Sequence, residues 1–212
     1  MLAGNSTQWL ITVERCAFVS NTAWVQAAAL FNSCGETVRV WNTVFTGNVC
    51  LGADAGSTVA NVAGAGQYVN CLIHGNTGLS AAMFNGGGST LTLINSTVAY
   101  NTSVCGSRAG LYTEGTATVA NSLFWANAAA ETTDEIAQLA KSTGATLIVN
   151  YTSLQEWSSG YGGTENNDDD PGFLSAADGN LRLRSTSPCI DYGDNTAIAG
   201  FSQDLDGGSR VV

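Results

Sequence analysis

A seven-residue phrase recurs five times in this 212-residue chain, at 15–21, 42–48, 70–76, 95–101 and 121–127. Its last position is always Asn: Asn21, Asn48, Asn76, Asn101 and Asn127. Position one reads Arg15, Asn42, Asn70, Asn95, Asn121, and position two reads Cys16, Thr43, Cys71, Ser96, Ser122. Position four is large and apolar throughout: Phe18, Phe45, Ile73, Val98, Phe124. Successive final Asn residues are 27, 28, 25 and 26 residues apart. A period of this length belongs to a solenoid, whose units stack on their neighbours, and not to a globule with one central core.

A second apolar column stands two residues before each phrase, at Val13, Val40, Tyr68, Leu93 and Val119. Alternate side chains of a strand point to opposite faces, so this column points inward, a corner follows, and positions two and four point inward on the next strand. A third apolar stretch, such as 27–31, 81–84 or 110–112, completes the turn. The expectation is an all-β parallel β-helix with three short strands in each coil of about 25–28 residues, equivalent positions stacking about 4.8 Å apart. At the Asn column the chain is expected to bend through positive φ, which Asn tolerates better than other non-glycine residues. Stacked Asn side chains are also expected to hydrogen-bond amide to amide along the axis as a structural ladder.

Composition suits this reading, with 25 Gly, 2 Pro and only 11% charged residues, a balance for short strands and tight turns. No apolar run approaches the roughly 20 residues that span a bilayer as a helix, so membrane insertion is not expected. Net charge is −10, with 7 acidic and 4 basic side chains in 1–150 and 10 acidic and 3 basic in 151–212. Such a chain lacks the cationic face that nucleic acid or an anionic membrane requires. A polyanionic glycan would need a cationic groove for the same electrostatic reason.

The six cysteines include no Cys-x-x-Cys pair, which argues against a zinc or redox site. Cys16 and Cys71 share a column but stand two coils apart, about 9.6 Å, too far for a disulfide. A bridge among Cys34, Cys50 and Cys105 stays open. Residues 1–8 contain no signal peptide, and 9–13 already read as a strand, so the chain reads as a fragment of a longer protein. Oligomeric state is not legible.

The coils are expected over 1–154 and an irregular C-terminal capping segment, packed on the last coil, over 155–212. Within 128–141, Thr-Thr-Asp-Glu before Ile136 and Leu139 fits a capped helix of about two turns; the favoured alternative makes 135–138 the next inward strand. The coil pattern resumes at 146–154, with Asn150 read as phrase position one. Beyond it come a Gly-rich turn at 160–163, an acidic run at 165–170 and Pro171.

The stretches Asp169-Asp170-Pro171-Gly172-Phe173, Asp178-Gly179-Asn180-Leu181-Arg182-Leu183, Ser187-Pro188-Cys189-Ile190-Asp191-Tyr192-Gly193-Asp194-Asn195 and Asp204-Leu205-Asp206-Gly207 carry a family resemblance. They resemble the C-terminal part of bacterial secreted pectin-lyase-like proteins of the choice-of-anchor Q type, and the coils resemble the same group. That resemblance implies a right-handed parallel β-helix, export, and a secreted or cell-surface setting with a sorting anchor beyond the helix. Phe-x-x-Asn at Phe18, Phe45 and Phe124 is similar to the repeat of chlamydial polymorphic membrane adhesins. Their Gly-Gly-Ala companion is absent, replaced by stretches such as Ala27-Ala28-Ala29.

Catalysis on such a scaffold needs convergent groups. Polygalacturonase-like hydrolysis requires several close carboxylates, and Asp54 is the only Asp before residue 134. Lyase chemistry would draw on Arg15, Arg39, Arg108 or Lys141 with Glu14, Glu36 or Glu114, yet these occupy unrelated phrase positions. His74, the sole histidine, falls at outward position five with no recognisable orienting partner. Outward Trp41 and Trp125, with His74, are the candidate binding residues, since exposed rings stack on sugars. Asp168, Asp169 and Asp170 are the candidate metal ligands, suited to Ca²⁺ if any ion binds. The expected function is a non-catalytic surface module presenting an elongated face to a polysaccharide or cell-surface glycan. Alternatives are a fragment of a polysaccharide lyase or glycoside hydrolase, or a structural stalk.

Overall fold

The computed structural model describes residues 9–52, 56–129, 134–198 and 200–209. Asp54, Thr132, Thr133 and the N-terminal residues 1–8 lie outside the described residues. The chain is a parallel β-solenoid of about five turns, consistent with a right-handed β-helix, the hand that strand twist favours in parallel crossovers.

Four parallel sheets run along the axis. The first stacks Leu10–Glu14, Thr37–Trp41, Ala65–Val69, Thr90–Ile94, Thr116–Ala120 and Thr146–Asn150. The second stacks Ala17–Val19, Val44–Thr46, Leu72–His74, Thr97–Ala99, Leu123–Trp125 and Ser153–Leu154. The third consists of two-residue strands, Thr22–Ala23, Val49–Cys50, Thr77–Gly78, Thr102–Ser103 and Ala128–Ala129. The fourth holds Ala27–Asn32, Ser57–Asn61, Met83–Asn85, Leu111–Thr113 and Leu139–Lys141. The expected three strands per coil are therefore the first, second and fourth sheets. The short third sheet, directly after the Asn column, carries no apolar alternation that would reveal it.

Core packing follows the columns. Val40, Tyr68, Leu93, Val119 and Val149 from the first sheet meet Phe45, Ile73, Val98, Phe124 and Leu154 from the second, with Val59, Met83, Leu111 and Leu139 from the fourth. Each such fully buried side chain contributes about 1.5–3 kcal/mol. The Tyr68 ring fits because position 66 is glycine: a Cβ there would stand 2.9 Å from Tyr68 Cε2. Phe18 stacks on Phe45 with centroids 5.0 Å apart and planes within 2°.

The Asn column forms the expected ladder, and its geometry corrects the expected reason. Asn21 Nδ2 donates to Asn48 Oδ1 at 2.8 Å, Asn48 to Asn76 and Asn76 to Asn101 at 2.9 Å, and Asn101 to Asn127 at 2.8 Å. The same Oδ1 atoms accept the backbone N–H of the preceding coil's Asn, at 3.0, 2.9, 3.1 and 3.1 Å. The second amide hydrogen of Asn48, Asn76, Asn101 and Asn127 goes to the carbonyls of Phe18, Phe45, Ile73 and Val98. None of these ladder Asn residues has positive φ. The left-handed residues are position one, with φ from 49° to 53° at Arg15, Asn42, Asn70, Asn95 and Asn121, and position six, at Ser20, Gly47, Gly75, Tyr100 and Ala126. Conserving an amide at position seven thus serves hydrogen bonding between coils, while the backbone bends on either side.

Two further corrections concern the last coils. Asn150 pairs with Ala120, so Tyr151, with φ 49°, takes position one. Residues Glu135–Gln138 form a single helical turn capped by Asp134, not a strand, and the inward strand begins at Leu139. That turn places Gln138 as the ladder's sixth rung: its Oε1 accepts from Asn127 Nδ2 at 2.8 Å.

After the last coil the chain first covers that coil. Asn166 Nδ2 donates to Val149 O, Leu154 N–H to Asn167 O and Tyr161 Oη to Leu139 O. It then turns back as an antiparallel hairpin, Phe173–Ser175 with Asn180–Leu183.

Candidate functional site

Beyond the hairpin, residues 191–198 and 200–209 lie along the flank of the solenoid as a strap over the position-one corners. Asp194 lies at the fifth coil, where its N–H donates to Asn121 Oδ1 (2.9 Å) and its carbonyl accepts from Asn121 Nδ2 (2.8 Å). Gln203 lies at the third and first: its carbonyl accepts from Asn70 Nδ2 at 2.8 Å and its Oε1 from Arg15 Nη2 at 2.7 Å. Arg182 of the hairpin clamps the strap through Asp206, Nε to Oδ2 at 3.1 Å and Nη2 to Oδ1 at 2.9 Å.

Between strap and solenoid lies a cleft of about 620 Å³. One wall is the column Arg15, Asn42, Asn70, Asn95; the floor holds outward residues Val44, Leu72 and Thr97; the far wall holds Leu181, Arg182, Asp204 and Asp206. A second cleft of about 440 Å³ shares Asn95, Arg182 and Asp206 and extends to Tyr151 and Tyr192. The corners make this column: position one adopts left-handed backbone, which Asn tolerates well, and so amides repeat at the second, third and fourth coils along the wall.

The charges in the cleft are already engaged. Arg182 is paired with Asp206, and Arg15 stands 3.7 Å from Glu14. Asp204 Oδ1 accepts the N–H groups of Asp206 and Gly208 to hold its own turn.

The predicted binding residues do not converge. Trp41 ends a first-sheet strand and meets Phe201 of the strap edge-on, with centroids 5.3 Å apart. His74 and Trp125 share the position-five column, two coils apart on the second sheet. His74 is half-buried beside Gly179, and burial lowers its pKa below the usual 6.5. All three lie outside the lining of both clefts.

Asp168, Asp169 and Asp170 are exposed. Asp170 Oδ1 accepts from Gly172 N–H at 2.8 Å, and the Asp169 carbonyl from Ser153 Oγ at 2.8 Å. Among the described residues, no three His, Cys, Asp or Glu side chains gather where a metal would sit. Arg39 donates to Gln67 Oε1 of the next coil on the first sheet, and Lys141 to Ala145 O. No helix among the described residues is long and apolar enough to cross a membrane.

The amide column at position one was visible in the sequence as part of the phrase. Its partner wall was not, since the strap returns to the column from 73 to 188 residues downstream. No known family, curated protein or solved structure matches the chain.

Proposed function

We propose that this solenoid is a non-catalytic module of an exported bacterial surface protein that binds neutral polysaccharide along its flank. One observation carries the reading: side-chain amides stand one coil apart along a cleft whose floor includes Val44 and Leu72. Amide groups suit sugar hydroxyls, and in this column Asn70 Oδ1 is a buried acceptor that no protein group fills. A neutral glycan fits better than a uronan, because both arginines of the first cleft stand against carboxylates. The likeness of 169–207 to choice-of-anchor Q pectin-lyase-like proteins supports the exported, cell-surface setting.

The test is incubation of the purified chain with soluble β-glucan, mannan, galactan and polygalacturonate, scoring retention and new reducing or unsaturated ends. Retention of a neutral polymer without new ends is the expected result. New ends would overturn the non-catalytic reading in favour of a lyase or hydrolase. Retention of none would leave a scaffold with no glycan role.

A further inference from the structure

Two polar atoms beneath the strap have no hydrogen-bond partner: Trp41 Nε1, a donor, and Asn70 Oδ1, an acceptor. The same lack of a partner holds for Ser57, Thr58, Tyr68 and Ser89 among the described residues, but Trp41 and Asn70 also touch the strap, through Phe201 and Gln203. Trp41 pairs with Val69 across the first sheet, so Asn42 and Asn70 follow at the adjoining corner positions. The Asn70 amide cannot flip to relieve its oxygen. Its Nδ2 donates both to Asn42 Oδ1 at 3.0 Å and to Gln203 O at 2.8 Å, and Asn70 is 3% exposed.

Over this corner the strap places three groups: the Phe201 ring edge-on to the Trp41 indole, the Gln203 carbonyl on the Asn70 amide, and Gln203 Oε1 on Arg15. An aromatic platform, an amide and a guanidinium are the groups that hold a sugar ring, one by its apolar face and the others by its hydroxyls. The strap meets these groups but offers no donor to Asn70 Oδ1 and no acceptor to Trp41 Nε1. A hydroxyl is both donor and acceptor, so sugar hydroxyls supply what the strap lacks.

The geometry points to a glycan subsite formed by Trp41, Asn42, Asn70 and Arg15, occupied in this state by residues 201–203 acting as an imperfect stand-in for the ligand. This rests on the glycan reading above and adds that the strap competes with the sugar. The ligand class is a neutral polysaccharide with free ring hydroxyls. Apparent affinity is then the intrinsic affinity reduced by the fraction of molecules with the strap lifted.

The experiment compares retention on soluble β-glucan, mannan and galactan of the parent chain, the Phe201→Ala/Gln203→Ala variant, and both again with Trp41→Phe. Circular dichroism confirms the coils, and Gln203→Ala alone repeats the comparison if the double variant melts early. The expected result is several-fold tighter retention when the strap anchors are removed, with the gain abolished by Trp41→Phe. Equal retention by parent and strap variant, insensitive to Trp41→Phe, overturns the covered subsite while leaving the glycan reading intact. No retention by any variant overturns both.

Discussion

Ala126 and Tyr100 hold φ of 54° at the sixth phrase position, where Gly47 and Gly75 hold 63° and 62°. Left-handed backbone costs a residue with a Cβ about 1 kcal/mol, so the same corner is relaxed in two coils and strained in others. Ala126→Gly is expected to raise stability by up to about 1 kcal/mol, and Gly75→Ala to lower it comparably; urea denaturation midpoints at constant m-value measure both. Space does not oppose the second change, since a Cβ on Gly75 meets nothing within 4 Å.

His74 carries a pH signature at the same scale. Burial lowers its folded-state pKa below the usual 6.5, so near and below that value the unfolded chain binds more protons than the folded one. The stability this neutral imidazole confers is present above about pH 6.5 and is lost as pH falls toward the lowered folded-state value. Stability against pH should therefore fall less steeply below pH 6.5 in His74→Gln than in the parent. Identical slopes would show that His74 is not desolvated.

At the scale of the element, the ladder ties each coil to its neighbours, and position along it sets the consequence of losing a rung. Asn76 is 1% exposed; its amide donates to Asn101 and to the Phe45 carbonyl, and its Oδ1 accepts from both Asn48 nitrogens. Asn76→Ala strands those buried partners and is expected to cost about 3 kcal/mol or more, since each unmet buried group costs about 1–3 kcal/mol. Asn21 is exposed, and its side chain donates to Asn48 Oδ1 while its backbone carbonyl accepts from Val49 N–H. Asn21→Ala should cost less than half as much by the same denaturation measurement. The five-Asn ladder was legible because its spacing is regular. A second one was not: Asn32, Asn61 and Asn85 donate in series, each to the next at 2.8 Å and the last to Thr113 Oγ1 at 3.0 Å. It occupies the corner between the fourth and first sheets, where unequal loops break the register and the last rung changes residue type.

Across the whole molecule, stability is graded along the axis. The first coil exposes Trp9, Leu10, Ile11, Val19, Trp24 and Val25, and its strands pair on one side only among the described residues. The last coil is covered by 155–171, and the middle coils contribute Leu91, Leu93, Val98 and Leu111 at or below 1% exposure. In a quasi-one-dimensional solenoid each coil is held by its neighbours, so opening should begin at the first coil. Hydrogen exchange is expected to be fastest over Leu10–Glu14 and slowest over Thr90–Ile94 and Thr116–Ala120. Uniform protection along the axis would instead indicate all-or-none opening.

The sequence by itself determined the solenoid, its coil length, the inward columns and the Asn ladder, because each is a local pattern repeated at a fixed period. A strand's pleat converts such a pattern into faces without reference to anything distant. It also held the candidate wall, since the Asn residues at position one stand where the left-handed corners require them. What only the tertiary structure decided is where residues 173–198 and 200–209 lie. They carry no repeat, and their partners, Arg15, Trp41, Asn70 and Asn121, are joined to them by one or two hydrogen bonds or a ring contact each across long separations in the chain. Contacts of that kind leave no periodic trace, and so the cleft, the contact of Trp41 with Phe201 and the separation of Trp41, His74 and Trp125 appear only once the chain is folded.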